Sequence, residues 1–297
     1  MMKQEIPIFF AVDDDYIPFL AVAIQSLSEK VNNENLYMIR ILYTDINEEN
    51  KSKIMLYEND NIKIEFVNVR KNLEKLKNKL LTRDYYSNAT YYRVLIPNLY
   101  PEYKKVIYLD ADIVVLDDIA KLYHINMKHY LIAGVAEAWF KKYKEFQDYA
   151  TKVIGLSNYK RYINAGVMVM NLEELRNINF ENIFLHLLET VKYTADQDQG
   201  YFNRICKGRI KYLKEYWNAG GYLYKKHNPK IIHYTVFKPW QVKDMPNKEY
   251  FWDIAKKTAF YDYILSLITE DSNLKGEQSL AEFRRLMKYE SSCVGNG

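Results

Sequence analysis

KKVIYLDADIVVLDD occupies residues 104–118. Residues 106–109 are apolar and have the composition and length of a strand. They end in two aspartates one residue apart, Asp110 and Asp112, and a second apolar stretch, 113–116, follows at once. Burying carboxylates between two core segments is unfavourable unless they have water or a partner. In an open α/β sheet, ligands bind beyond the carboxyl ends of the strands. Asp110 stands at such an end. Acids at i and i+2 of a turn can face one divalent cation, and hard cations such as Mg²⁺ or Mn²⁺ take oxygen ligands and share their sphere with phosphates. An isolated Asp-x-Asp is more often a solvated turn. Its place between two apolar segments is what gives this one weight.

The surrounding chain alternates strand and helix patterns. Strands are expected at 6–12, 36–43, 62–69, 129–137 and 229–233, and a long strand leading into a helix at 161–175. Helices are expected at 16–29, 47–59, 182–193, from 196 onward, and over the aromatic-rich stretch 250–268. Such alternation predicts an α/β fold with a mixed, mostly parallel central sheet and helices on both faces. Only ten glycines are present and the first is Gly134, so the N-terminal half has no glycine-rich phosphate loop. The first strand runs instead into AVDDDYIP, residues 11–18. Phosphates bound at this sheet would need neutralisation by a metal rather than by a helix N-terminus.

His233 closes the strand KIIH, and Lys238, Pro239 and Trp240 follow. A lone histidine after an apolar strand is usually structural. Beside a lysine suited to phosphate and a proline that stiffens the turn, it becomes a candidate third ligand, and imidazole would favour Mn²⁺ over Mg²⁺. Asp196 and Asp198 sit where a helix begins, a position that favours acids as caps. The cap and a chemical role for Asp198 both stay open.

The 297 residues suit one large domain or two smaller ones and are enough to bury a sizeable core. A net charge of +4 with no basic arm fits a small anionic ligand and argues against nucleic acid. Cys206 and Cys293 read as reduced thiols. With no apolar run near ~20 residues, the chain reads as cytoplasmic. The 28 tyrosines read as compositional bias, with sugar stacking or membrane contact as the sharper alternative. Residues 249–297 read as a helical tail, packed on a domain of residues 1–248 or lying on the inner face of a membrane through its aromatics, with its last ~25 residues loosely packed.

Six blocks, FFAVDDDYIPFLAVAIQSL, ATYYRVLIPNL, VIYLDADIVVLDDI, YINAGVMVMNL, DQDQGYFN and IIHYTVFKPW, stand in the order found in family 8 glycosyltransferases, and the chain resembles that family over about residues 6–240. The family includes glycogenin and bacterial lipopolysaccharide galactosyl- and glucosyltransferases. The resemblance implies a GT-A fold and a retaining, Mn²⁺-dependent transfer of glucose or galactose from a UDP-sugar to a saccharide, lipid-linked or protein acceptor. It implies that Asp110, Asp112 and His233 hold the metal, and that Ala11, Asp13 and Asp15 line the uridine pocket. Ala111 is counted among the donor-binding residues. Arg93 and Lys238 would touch the sugar or diphosphate. Asn164, Asp198 and Gln199 would surround the donor sugar, with Asp198 as the candidate nucleophile, and Glu137 would lie near the acceptor. Two departures stand out: Val236 or Phe237 replaces a glycine of the His–Lys turn, and Asp15 stands where some relatives have Asn. Alternatives are a nucleotide-sugar-binding protein with little turnover and a self-glucosylating initiator. Nucleotidyltransferases, which also set acids and a metal on an α/β sheet, usually carry the glycine-rich loop that is missing here.

Overall fold

The computed structural model describes residues 3–75, 88–193, 195–269 and 272–294. Ten strands appear in chain order: β1 Gln4–Ala11, β2 Asn35–Tyr43, β3 Ile62–Asn68, β4 Lys105–Leu109, β5 Ile113–Val115, β6 Ile132–Ala136, β7 Ile163–Asn171, β8 Ile210–Tyr212, β9 Ala219–Gly220 and β10 Ile231–His233. Seven form one sheet in the order β3-β2-β1-β4-β7-β6-β8, and β5-β10-β9 form a smaller one. In the large sheet only β7 runs against its neighbours; the other pairings are parallel. The mixed, mostly parallel sheet expected from the alternation is present.

Ile6, Ile8, Phe9 and Phe10 of β1 are fully buried, as a central strand covered on both faces requires. Each such side chain stabilises by about 1.5–3 kcal/mol relative to exposure. The next helix, Ile17–Ser28, begins with Pro18 in its first turn and buries nearly every side chain. It packs on β5, and Ser26 Oγ, donating to Ala23 O, accepts the Val115 N–H at 2.9 Å. This helix therefore ties the small sheet to the large one.

The two aspartates mark the place where the chain leaves one sheet for the other. Strand β4 ends at Leu109 opposite Val167 of β7, and β5 starts at Ile113 opposite His233 of β10. Asp110 N–H still bonds Gly166 O at 2.7 Å, and Tyr234 N–H bonds Asp112 O at 2.9 Å. The antiparallel register of β5 and β10 is what brings His233, 121 positions on from Asp112, to the same corner.

The C-terminal part is helical: Lys248–Ala255, Tyr261–Ser266 and Ser272–Cys293. The first two pack on Ile17–Ser28. Phe251 is buried against Trp240 and Tyr234, so the aromatics of 250–268 include core residues. Loose packing does not describe the last helix. Gly276, Phe283, Met287 and Glu290 are buried at helical spacing, and the helix packs on the segments Lys144–Asp148 and Tyr149–Val153. That face is interrupted by polar residues, and residues 295–297 lie outside the described ones. Among the described residues no helix is long and apolar enough to cross a membrane.

Candidate active site and metal centre

A cavity of about 120 Å³ opens at the corner between the sheets. Its walls include Ala11 and Asp13 after β1, Arg93, the Asp110–Ala111–Asp112 turn, Glu137, Asn164, Asp198, Gln199, His233 and Lys238. Of the residues expected at the site, Asp15 alone stays outside these walls: it is exposed, while Asp13 caps the short turn that carries it by accepting the Tyr16 N–H at 3.2 Å. Asp14 is turned away as well, bonding Asn47 and Asn50.

Asp110, Asp112 and His233 each offer a ligand atom, and these atoms lie within 4.8 Å of one another. His233 Nε2 is 3.1 Å from Asp112 Oδ1 and 3.7 Å from Asp110 Oδ2. Its Nδ1 is 3.0 Å from Asn218 Oδ1. An amide oxygen can only accept, so Nδ1 carries a proton, and Nε2, which faces the acids, is the nitrogen left to ligate a cation once its own proton is given up. Asn218 in turn donates to Asn164 Oδ1 at 2.9 Å, and Asn164 donates to Glu137 Oε2 at 2.7 Å. The donor set of two carboxylates and one oriented imidazole fits a divalent cation of the Mn²⁺ or Mg²⁺ kind.

Charge is balanced within the cluster. The Lys238 ammonium is buried and pairs with Asp112 while donating to Tyr234 O at 2.7 Å. Burial would raise the Asp112 pKa, but Lys238 and His233 override it and hold the carboxyl well below the ordinary range. Burial would likewise lower the His233 pKa, and the charges of Asp112 and Asp110 raise it above its usual value. Arg93 lies under the floor. Its Nε and Nη2 reach Asp198 at 2.5 and 2.9 Å, and its Nη1 reaches Ala165 O at 2.7 Å and Asp110 Oδ1 at 3.2 Å. Despite burial, these carboxylates keep it protonated well above its ordinary value. Arg93 thus lines the cavity while its guanidinium grips Asp198, Asp110 and the Ala165 carbonyl.

The helix Asp198–Cys206 starts at Asp198, preceded by Gln197 at φ 52° and ψ −129°. Asp196 accepts from the hydroxyls of Tyr149 (2.6 Å) and Tyr162, and Asp198 from Arg93. The partners of Asp198 are therefore tertiary, which favours the site reading over the cap. Gln199 Oε1 accepts the Ala165 N–H at 2.9 Å. Residue 165 lies past the end of β4, so its backbone groups are left to Arg93 and Gln199.

Three contributors were not singled out from sequence. Asn218 orients the imidazole. Gly166 faces the metal ligands: a Cβ there would overlap His233 Cε1 and Asp110 Oδ2. A glycine inside a strand was the available signal, since it often marks a close approach. Phe283 reaches the cavity wall from the last helix.

A mixed sheet with an Asp-Ala-Asp turn at its central strand end and a histidine brought back beside it is the GT-A fold. The family model of glycosyl transferase family 8 matches residues 7–244, and the chain belongs to that family. It is 32% identical over 222 residues to a glycosyltransferase of Haemophilus influenzae, covering 73% of this chain and 64% of that protein's length. It is 26% identical over 314 residues to the lipopolysaccharide 1,2-glucosyltransferase of Escherichia coli, covering 94% and 83%. The structure of galactosyltransferase LgtC with donor and acceptor sugar analogues superposes with a TM-score of 0.70 at 23% identity, covering 86% of this chain and 96% of that one.

Proposed function

We propose that the chain transfers a hexose, glucose or galactose, from a UDP-sugar to a saccharide hydroxyl with retention at the anomeric carbon, using a divalent cation of the Mn²⁺ type. The observation that carries this is the meeting of Asp110, Asp112 and His233, with ligand atoms within 4.8 Å, on the wall of a cavity that also holds a buried lysine. The family and the names of the relatives support a sugar as the transferred group; glucose and galactose come from the Escherichia coli and LgtC names respectively.

When bound, the cation would neutralise the donor diphosphate and stabilise the charge gathered by departing UDP. The residues then divide the work. Ala11 and Asp13 form the nucleoside end. Lys238, positioned by Tyr234 O, supplies a second positive charge for the diphosphate. Asn164 and Gln199 offer amide groups to the sugar hydroxyls, their orientation fixed by Glu137, Asn218 and Ala165. Asp198 adds negative charge beneath the sugar, where the ring becomes oxocarbenium-like. Its two oxygens are engaged by Arg93, which favours an anchored charge over a free nucleophile and leaves same-face attack as the route to retention.

The test is UDP release from UDP-glucose and UDP-galactose with Mn²⁺, with and without EDTA. Release should require the metal and fall at least ~10²-fold in Asp110→Asn or Asp112→Asn. An unchanged rate in EDTA overturns the reading.

A further inference from the structure

The last helix, Ser272–Cys293, lies beyond the residues matched by the family model, which end at 244. Yet one of its faces touches the cavity or the segments beside it at three levels. Gly276 faces Phe237 of the His–Lys turn so closely that a Cβ there would overlap the ring. Phe283 lines the cavity together with Trp139 and Val236, and packs on Phe146 with ring centroids 4.9 Å apart. Glu290, itself buried, accepts the Ala195 N–H at 3.0 Å, three residues before Asp198. Positions 276, 283, 287 and 290 are spaced at i, i+7, i+11 and i+14, so one stripe of the helix makes all these approaches.

The turn departure and this stripe belong together. Val236 or Phe237 takes the place of the turn's glycine, and of the two Phe237 faces Gly276. Its ring stacks on Tyr222 at 4.4 Å and occupies the space left by the absent side chain of Gly276. The helix is further tied by Arg284, whose Nε is 2.5 Å from Glu145 and whose guanidinium lies 4.3 Å from the Tyr143 ring. It packs on Tyr149–Val153, the segment whose Tyr149 hydroxyl holds Asp196. On the proposed reading the nucleoside end is formed by Ala11 and Asp13, and Phe283 lines the same cavity along with Asp196, Trp139 and Val236.

We propose that Phe283 is a specificity-determining residue of the sugar end of this cavity, supplied by a helix outside the family-matched region. Its ring bounds the space open to the transferred hexose. The proposal rests on the UDP-hexose reading above. A wall of this kind discriminates by steric exclusion, where a few heavy atoms change relative rates by roughly 10–200-fold.

The experiment compares kcat/KM for UDP-hexose and UDP-N-acetylhexosamine, both with Mn²⁺, in the wild type, Phe283→Ala and Phe283→Leu. UDP affinity is measured in parallel to read folding and the nucleotide end apart from the sugar. Phe283→Ala should shift the ratio at least ~10-fold toward the bulkier sugar, with Phe283→Leu intermediate. A ratio within about twofold of wild type in a variant that still binds UDP overturns the proposal. Should Phe283→Ala fail to fold, Phe283→Leu decides by the same ratio. Absence of UDP binding by the wild type removes the UDP-hexose reading itself, a different failure from an unmoved ratio.

Discussion

Arg93 holds Asp198 at two points, Nε to Oδ2 at 2.5 Å and Nη2 to Oδ1 at 2.9 Å, and both side chains are buried. Removing one partner leaves the other charge in a low-dielectric floor. Arg93→Met should therefore lower stability by about 3–5 kcal/mol, read from urea unfolding. Lysine cannot reach Asp198, Asp110 and Ala165 O from one ammonium, so Arg93→Lys should rescue little. The double variant Arg93→Met/Asp198→Leu should recover part of the loss. A single-variant loss below about 1 kcal/mol would mean the pair is not what supports the floor.

How much of this was legible beforehand depended on whether the signal was local. The strands around Asp110 and Asp112 are apolar runs with abrupt ends, and the sequence shows them directly. The large sheet follows from the alternation of periods. The small sheet does not: the apolar stretches that become β5 and β10 are visible, but their pairing and the two-residue β9 have no local signal. Three successive acids look alike in sequence, whereas the turn after β1 exposes Asp15, points Asp14 at Asn47 and keeps Asp13 at the cavity. The pairing of Arg93 with Asp198, 105 positions away, is announced by nothing local. The last helix reads as polar tail since its buried stripe is thin: a glycine, a phenylalanine, a methionine and a glutamate.

Gly166 has no room for a side chain. Its would-be Cβ overlaps His233 and Asp110 at once, while strand β7 keeps its pairing with β4 from Val167 onward. Gly166→Ala should fold and lose metal affinity by at least ~10-fold, because two of the three ligands must shift. Calorimetric titration with Mn²⁺ measures this. Wild-type affinity in the alanine variant would show that the three side chains do not act as one centre.

His233 sets an opposing pair of pH effects. Its folded pKa is raised above 6.5 by Asp112 and Asp110, which outweigh burial. In the metal-free chain this contributes stability that is complete below about pH 6.5 and fades as pH rises through the folded value. A metal needs the neutral ring, so affinity runs the other way. Below the folded pKa each pH unit should weaken Mn²⁺ binding by about tenfold. Mn²⁺ titrations followed by electron paramagnetic resonance between about pH 6 and about pH 8 measure the slope. Asn218→Leu removes the acceptor that orients the ring and should weaken binding roughly 10–100-fold at the upper end of that range. A flat profile would take His233 out of the ligand set.

Asp198 divides the two routes to retention. A nucleophile must direct an oxygen lone pair at the anomeric carbon and carry enough charge to bond it. Here both oxygens are shared with a guanidinium that stays protonated, and burial pushes the carboxyl above its ordinary value against the pull of Arg93. A carboxylate so engaged bonds poorly but, on the proposed reading, still places a negative charge beneath the reacting sugar. With UDP-hexose and no acceptor, intact-mass spectrometry of the wild type should show no hexose added at Asp198. Asp198→Asn should lower kcat by about 10²-fold, since the charge is lost while the shape is kept. A hexosyl adduct on Asp198 would establish double displacement and give Arg93 the role of stabilising the carboxylate as it leaves. Full activity in Asp198→Asn would leave the carboxylate no part in the chemistry, only in the buried pair that fixes Arg93 under Asp110.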